Sequence, residues 1–166
     1  MNNSVQIKVA TPVHFDAIKE IAKATWPSTY GHIISAEQIE YMIGQMYDCN
    51  TLQKQYDANT IFLLAEQNGR NVGFASYGYV DTYWEYKLNK LYVLPKMHGR
   101  GIGKQLIQHI QQELRSINVS QISLQVNRYN NAVQFYEKLG FIIIDNQDFH
   151  FGQNYYMNDF VMRCHF

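Results

Sequence analysis

The chain has 166 residues, of which 46% are hydrophobic and 17% are charged, a composition typical of a globular protein rather than a disordered one. The formal net charge of +0 argues against binding to nucleic acid or to an anionic membrane surface. The chain starts without a basic stretch followed by an apolar run, and no apolar run approaches the ~18 residues of a membrane span. We therefore expect a cytoplasmic protein that binds neither nucleic acid nor membrane.

The first part of the chain predicts one strand followed by helices. Residues 5–9 alternate and predict a strand, and Thr11 resembles a helix N-cap. Apolar residues then recur at helical spacing until Pro27, which we expect to end the helix because proline removes a backbone donor. Residues 35–38 have the form of a capping box before a second amphipathic helix, and residues 51–56 predict a short third helix.

Strands dominate the middle of the chain, and helices and strands alternate after it. Residues 60–65 and 72–80 predict a hairpin around Asn68-Gly69, and residues 85–94 predict a third strand. The later predictions are helices at 101–115 and 131–139 and strands at 121–127, 141–144 and 159–166.

The order of these elements predicts the fold class. Hairpins combined with two β-α-β crossings indicate an α/β (α+β) fold, with a mixed, largely antiparallel central sheet of about seven strands and helices on both faces. The order does not indicate a doubly wound dinucleotide-binding fold. No linker or repeat divides the sequence, so we expect residues 1–166 to form one domain.

A glycine-rich loop joins the strand at 85–94 to the next helix. Its three glycines, at 99, 101 and 103, let the backbone approach a ligand closely, and the helix start that follows favours an anion. Arg100 and Lys104 add positive charge. The loop therefore predicts a phosphate or pyrophosphate site, although a glycine-rich helix entry without a ligand would have the same composition.

Two familiar phosphate-binding patterns are excluded. A Walker A loop would need glycine at His98 and a hydroxyl at Gln105. The dinucleotide pattern Gly-x-Gly-x-x-Gly fails because Lys104 stands where its third glycine would be.

A second group of polar and aromatic residues follows the strand at 121–127. Asn127 stands at the strand end, where its amide can pair with ligand amides, although a turn or capping asparagine fits equally well. Tyr136 lies on the next helix, and core packing like that of its neighbour Phe135 is the alternative for it.

Together the two segments resemble the GNAT superfamily of acetyl-CoA-dependent N-acetyltransferases. Residues 98–103 resemble the family pattern Gln/Arg-x-x-Gly-x-Gly/Ala, and the order of elements is similar over essentially the whole chain. Residues 25–56 are more weakly similar to the spermidine/spermine acetyltransferase branch. The second family motif is matched by Asn127, Asn130, Ala132, Phe135, Tyr136, Leu139, Gly140 and Phe141.

The resemblance implies a GNAT fold and acetyl-CoA as co-substrate. It implies that the strand before the loop pairs with the pantetheine arm, that the Val93 N–H donates to the thioester carbonyl, and that loop amides hold the pyrophosphate. Tyr136 would protonate the leaving thiolate, because a tyrosine with a pKa near ~10 carries its proton at neutral pH. The implied cofactor-binding residues are Leu91, Tyr92, Val93, His98, Gly99, Arg100, Gly101, Ile102, Gly103, Lys104, Asn127, Asn130 and Tyr136.

The acceptor side departs from the family pattern. An amine with a pKa of about 10.4 is protonated at pH 7 and needs a base. Many relatives carry a glutamate at the position of Lys87, and a protonated lysine cannot accept a proton. Glu85, Asp81 and a bound water remain as candidates. His98 also replaces the usual glutamine or arginine of the loop.

The resemblance implies a small-molecule or peptide amine as acceptor and allows a homodimer. Acceptor pockets of such enzymes map to residues 26–47, 80–86 and 149–158, which are rich in aromatic residues here. A non-catalytic acyl-CoA-binding or regulatory domain is the alternative to an enzyme, and a nucleotide-binding module is disfavoured by the failed Walker pattern. The remaining histidines do not cluster at ligand spacing, so we expect no metal site.

Overall fold

One seven-stranded sheet runs through the protein. The computed structural model describes residues 4–81 and 84–166. The strands are β1 (Gln6–Ala10), β2 (Ile61–Gln67), β3 (Arg70–Val80), β4 (Glu85–Val93), β5 (Gln121–Asn127), β6 (Ile142–His150) and β7 (Tyr156–His165). The helices are α1 (Phe15–Tyr30), α2 (Ala36–Met46), α3 (Cys49–Asp57), α4 (Ile102–Ser116) and α5 (Ala132–Lys138).

The sheet is mixed, and its one parallel pair of strands lies at the centre. The strand order is β1-β2-β3-β4-β5-β7-β6, and the neighbours pair antiparallel except for β4 with β5. The predicted mixed, largely antiparallel sheet with helices on both faces is confirmed. Antiparallel neighbours can be joined by hairpins, whereas the parallel strands β4 and β5 need the crossover helix α4 between them.

A hydrophobic core covers each face of the sheet. On one face, Leu106 and Ile110 of α4 pack with Leu124 of β5. On the other face, Trp26 of α1 packs with Phe74 of β3, and α2 and α3 add further apolar side chains. Burial of these side chains is the main stabilising contribution to the fold.

Strand β4 carries a one-residue bulge at Asn89. Its pairing with β3 shifts between Ser76 and Tyr77, which leaves Asn89 without an opposite residue. Because side chains alternate along a strand, the extra residue brings Lys87 and Lys90 to the same face although they are three positions apart. That face is the one covered by α1 and α2.

Strands β4 and β5 are paired only at one end. Lys87 lies opposite Ser123 and Leu88 lies opposite Leu124, and these are the two register pairs between the strands. The bulge at Asn89 coincides with the point where the pairing stops. Residues 89–93 therefore form a strand edge that β5 does not cover.

The predicted ends of α1 and β6 are wrong. Helix α1 does not end at Pro27 but continues to Tyr30, because Trp26 packs on Tyr30 with ring centroids 4.6 Å apart and this contact outweighs the missing donor. Strand β6 extends to His150 rather than to residue 144, because it pairs with β7 up to the pair His150–Tyr156. The predicted acceptor region 149–158 thus holds the tip of this hairpin.

In the part of the chain that the structure describes, no helix combines the length and the apolar character that crossing a membrane requires. Thr82 and Tyr83, which fall within the predicted acceptor region 80–86, lie outside the described residues.

We expect Pro27→Ala to stabilise the protein by about 1–3 kcal/mol. Proline inside a helix removes one hydrogen bond, here the one to the Lys23 carbonyl, and costs up to about 3 kcal/mol relative to alanine. Urea unfolding followed by circular dichroism measures the change. Lys23→Ala on the same helix is the control and should change stability by less than about 0.5 kcal/mol. A Pro27→Ala protein no more stable than the unmodified one would show that proline fits this turn without strain.

Candidate active site

A cavity of about 870 Å³ lies where β4 and β5 separate. Its size is within the range of small-molecule and cofactor sites. Arg100 is exposed and does not line the cavity. The other predicted site residues do, namely Leu91, Tyr92, Val93, His98, Gly99, Gly101, Ile102, Gly103, Lys104, Asn127, Asn130 and Tyr136.

The uncovered edge of β4 presents backbone groups to this cavity. The Leu94 N–H donates to the Val72 carbonyl of β3 at 2.9 Å, so the backbone groups of Val93 and, by alternation, of Leu91 point the other way. The His98 ring lies on that side and donates from Nε2 to the Val93 carbonyl at 2.8 Å. The Val93 N–H is therefore directed into the cavity.

Tyr92 contributes its side chain rather than its backbone. Its carbonyl oxygen lies beside Gly73 of β3, 3.0 Å from where a Cβ of that residue would be. The expectation that the Tyr92 backbone pairs with a ligand is thus corrected, because that backbone belongs to the β3 pairing. The Tyr92 hydroxyl is 3.0 Å from the hydroxyl of Tyr30 on α1, and burial raises the pKa of Tyr30 to about 12.

The glycine loop forms the next wall of the cavity. Gly99 and Gly101 have φ values of 77° and 75°, a left-handed conformation that other residues adopt only with strain. Gly103 serves a different purpose, because a Cβ there would lie 3.1 Å from the Phe135 ring of α5. The loop thus depends on two glycines for its shape and on one for close packing of α4 against α5.

Helix α4 directs unpaired amides at the same space. Its first intrahelical bond runs from the Gln105 N–H to the Gly101 carbonyl at 3.0 Å, so the amides of residues 102–104 precede the helical hydrogen-bond ladder. The His98 N–H differs from them, because it donates to the Pro95 carbonyl at 3.2 Å. An amide cradle therefore begins at Gly99, and His98 acts through its ring.

Asn127 and Asn130 hold the turn between β5 and α5. The Asn127 Oδ1 accepts from the Tyr129 N–H at 3.0 Å, and the Asn130 Oδ1 accepts from the Ala132 N–H at 2.9 Å. These bonds correspond to the turn and capping roles that compete with ligand binding for such residues. The Asn130 amide also approaches the Tyr30 hydroxyl, which links the turn to α1.

Tyr136 lies on α5 with 7% of its surface exposed. Its ring packs edge-on against Phe141 at a centroid distance of 5.5 Å. Burial raises the pKa of Tyr136 well above its ordinary value, and the nearby Tyr30 acts in the same direction. The hydroxyl therefore keeps its proton throughout the neutral pH range, where it is able to act as a general acid but not as a general base.

The two acidic base candidates, Glu85 and Asp81, do not line the cavity. Glu85 is buried and accepts hydrogen bonds from Ser123 at 3.0 Å and from Arg163 at 2.9 Å. Asp81 is exposed and does not line the cavity. Lys87 does line it, donates to Gln125, and has a pKa lowered by burial.

The sequence placed Tyr30 only within the predicted acceptor region 26–47 and did not single out Asp159, and both residues line the cavity. Tyr30 follows Pro27, where the helix was expected to stop, so no helical face was assigned to it. Asp159 lies on β7 opposite Asn127 of β5, a pairing that the intervening sequence does not reveal. Among residues 4–81 and 84–166, no cluster of three or more histidine, cysteine or acidic side chains could hold a metal ion.

Proteins of Thermoplasma acidophilum are similar to this chain in sequence and in structure. A spermidine N(1)-acetyltransferase of Thermoplasma acidophilum is 27% identical over 160 residues, which cover 92% of this chain and 98% of that protein. The crystal structure of the PaiA N-acetyltransferase of the same organism, in complex with coenzyme A, superposes with a TM-score of 0.85 at 25% identity and covers 98% of this chain and 99% of that one.

More distant relatives share the fold alone. The ribosomal-protein-S18-alanine N-acetyltransferase of Escherichia coli has a TM-score of 0.73 at 20% identity and covers 98% of this chain and 94% of that one. The model of the family described as the acetyltransferase (GNAT) domain matches residues 32–154. The seven-stranded sheet and the separation of β4 from β5 agree with that match. We conclude that the chain belongs to the GNAT family and is an N-acetyltransferase.

Proposed function

We propose that this enzyme moves the acetyl group of acetyl-CoA directly to a primary amine in a ternary complex. The observation that carries the proposal is the uncovered edge of β4 beside the amide cradle of α4, in one cavity. A pantetheine arm has amides that can pair with a strand edge, and its pyrophosphate suits a helix start. The coenzyme A bound to the Thermoplasma PaiA protein supports the choice of ligand.

Each part of the cofactor has a partner in this proposal. The backbones of Leu91 and Val93 pair with the pantetheine, and the amides of residues 99–104 hold the pyrophosphate, with Arg100 and Lys104 adding charge from the rim. Asn127 and Asn130 shape the turn beside the arm through the hydrogen bonds that their Oδ1 atoms accept. We extend the proposal to the domain boundaries: residues 1–166 act as one acetyltransferase domain.

The transfer itself uses two donors. The Val93 N–H donates to the thioester oxygen, on which negative charge develops as the amine attacks, and a positioned donor of this kind contributes about 10²–10³ in rate. Tyr136 gives its proton to the departing thiolate. Burial disfavours the thiolate as it disfavours the tyrosinate, so the raised pKa of Tyr136 does not by itself prevent the transfer.

A panel of amines tests the proposal and searches for the acceptor. The panel contains spermidine, because a Thermoplasma relative is a spermidine N(1)-acetyltransferase, together with an amino acid amide, an aminoglycoside, benzylamine and a peptide with a free N-terminus. We expect free thiol to appear from acetyl-CoA only when an accepted amine is present. Tight acetyl-CoA binding without release by any amine would favour the non-catalytic acyl-CoA-binding alternative.

Gly101→Ala should weaken CoA binding at least about tenfold, equivalent to about 1.4 kcal/mol. Alanine at φ 75° costs about 1–2 kcal/mol, which the loop relieves by moving its amides away from the pyrophosphate. Titration calorimetry with CoA measures the change. Gly44→Ala on α2 is the matched control, because a Cβ there meets no atom within 4 Å, and its CoA affinity should be unchanged. Equal CoA affinities for the two variants would contradict the assignment of the pyrophosphate to this loop.

Tyr136→Phe should lower kcat about 10²-fold or more and leave the Kd for CoA unchanged, because it removes only the proton donor. Steady-state thiol release at saturating acetyl-CoA measures the effect. Tyr129→Phe, in the turn just before α5, replaces an exposed tyrosine and should retain full activity. If Tyr136→Phe keeps the same kcat, solvent rather than Tyr136 protonates the thiolate.

A further inference from the structure

Asp159 is the one carboxylate among the described residues that line the cavity. It lies on β7, opposite Asn127 of β5 on one side and Gln147 of β6 on the other. Residues opposite one another in a sheet share a face, so Asp159 stands on the same face as Asn127, at the end of β5 next to the opening.

Groups from four elements surround the Asp159 carboxylate. They are Lys87 of β4, Arg128 after β5, Asp148 of β6 and Tyr30 of α1. Arg128 is already paired with Asp148. The Oδ1 atom of Asp159 is buried and has no hydrogen-bond partner in the described part of the protein. A buried acceptor without a partner is costly, so the protein does not fully compensate the charge of this carboxylate.

The ionisation of Asp159 is balanced by these neighbours. Burial raises the pKa of its carboxyl from 3.8 to about 6, while Lys87 and Arg128 lower that pKa and Asp148 raises it. The carboxylate is therefore ionised at neutral pH, and it is a stronger base than an exposed aspartate.

We propose that Asp159 is the catalytic base that accepts the proton of the acceptor ammonium, in place of an acidic residue on β4. The assignment rests on the proposed function and completes its acceptor side. Among the cavity residues, Lys90 is directed elsewhere, with its Nζ donating to Gln55 of α3 at 3.0 Å. Glu85 is committed to Ser123 and Arg163.

The proton and electron balance of the step is simple. The ammonium gives one proton to the Asp159 carboxylate, and the freed nitrogen lone pair forms a bond to the thioester carbon. When the tetrahedral adduct collapses, the C–S bond breaks and its electrons leave on sulfur. The nitrogen loses a second proton to solvent, the thiolate takes one from Tyr136, and solvent restores both Tyr136 and Asp159. The products are the amide and the free thiol of CoA, with one proton released overall.

Asp159→Asn keeps the side-chain shape and removes the base. With the fastest alkylamine of the panel and saturating acetyl-CoA, we expect kcat to fall about 10²–10⁴-fold while the Kd for CoA stays unchanged. Hydroxylamine, whose nitrogen is mostly uncharged at neutral pH, needs no base, so its acetylation should fall by less than about tenfold. Asp145→Asn, an exposed carboxylate of β6, is the matched control and should retain full activity.

The pH profile provides a readout that a purely structural role would not change. In the unmodified enzyme, kcat should fall as the pH drops through about 6, where Asp159 takes up a proton. Asp159→Asn should lose this acidic limb. Lys87→Gln removes a cation that lowers the pKa of Asp159, so it should move the limb to higher pH.

The thermal stability of Asp159→Asn distinguishes a loss of catalysis from a loss of folding. A carboxyl whose pKa is higher in the folded state stabilises the fold when protonated, and this contribution is lost as the pH rises through about 6. At pH 7.5, Asp159→Asn should therefore have a Tm equal to or above that of the unmodified enzyme.

Three results would overturn the assignment. They are an unchanged kcat in Asp159→Asn, an equal loss with hydroxylamine and with the alkylamine, and a marked fall in Tm that accompanies the loss of activity. An unmodified protein that acetylates no amine of the panel would instead refute the proposed function, and the role of Asp159 with it.

Discussion

Backbone hydrogen bonding at the centre of the sheet constrains the rest of this protein. Strands β4 and β5 pair at two positions and then part, which leaves the backbone of Leu91 and Val93 directed at a cavity instead of at a neighbouring strand. A strand edge in the interior of a sheet is tolerated when other groups complete its hydrogen bonds. The His98 ring already completes one of them, at the Val93 carbonyl. A ligand with amides of its own is suited to complete the others.

The two helices that follow these strands bound the same opening. Helix α4 leaves β4 through the glycine loop, and α5 leaves β5 through the asparagine turn, so the opening is bounded by a helix start on one side and by Tyr136 on the other. Behind β4, Trp26 and Tyr30 of α1 pack against Tyr92 and keep that wall closed. The side of the cavity next to α4 is thus polar and built of backbone groups, whereas the side next to α1 is aromatic and built of side chains.

The sequence predicted most of the cavity residues that come from the glycine loop, α4 and α5, and few of those that come from α1 and β7. Glycines, a helix start and the spacing from Asn127 to Tyr136 are local features, so they could be found along the chain. Tyr30 and Asp159 could not be found in this way, because their positions depend on a helix that persists beyond Pro27 and on the pairing of β7 with β5. The expected cradle also lost the His98 amide, since the turn after Pro95 uses it.

The bulge at Asn89 adds one residue that the pairing with β3 does not need. Leu88 and Lys90 lie opposite the adjacent residues Tyr77 and Ser76, so deletion of Asn89 would restore a regular antiparallel ladder and leave each later position of β4 on its present side. The direction of the Val93 N–H is therefore set by the pairing with β3 and not by the bulge. What the bulge adds is a local bend and extra twist at the point where the pairing of β4 with β5 stops. A relative that lacks this one residue would keep the directions of these groups and lose the bend.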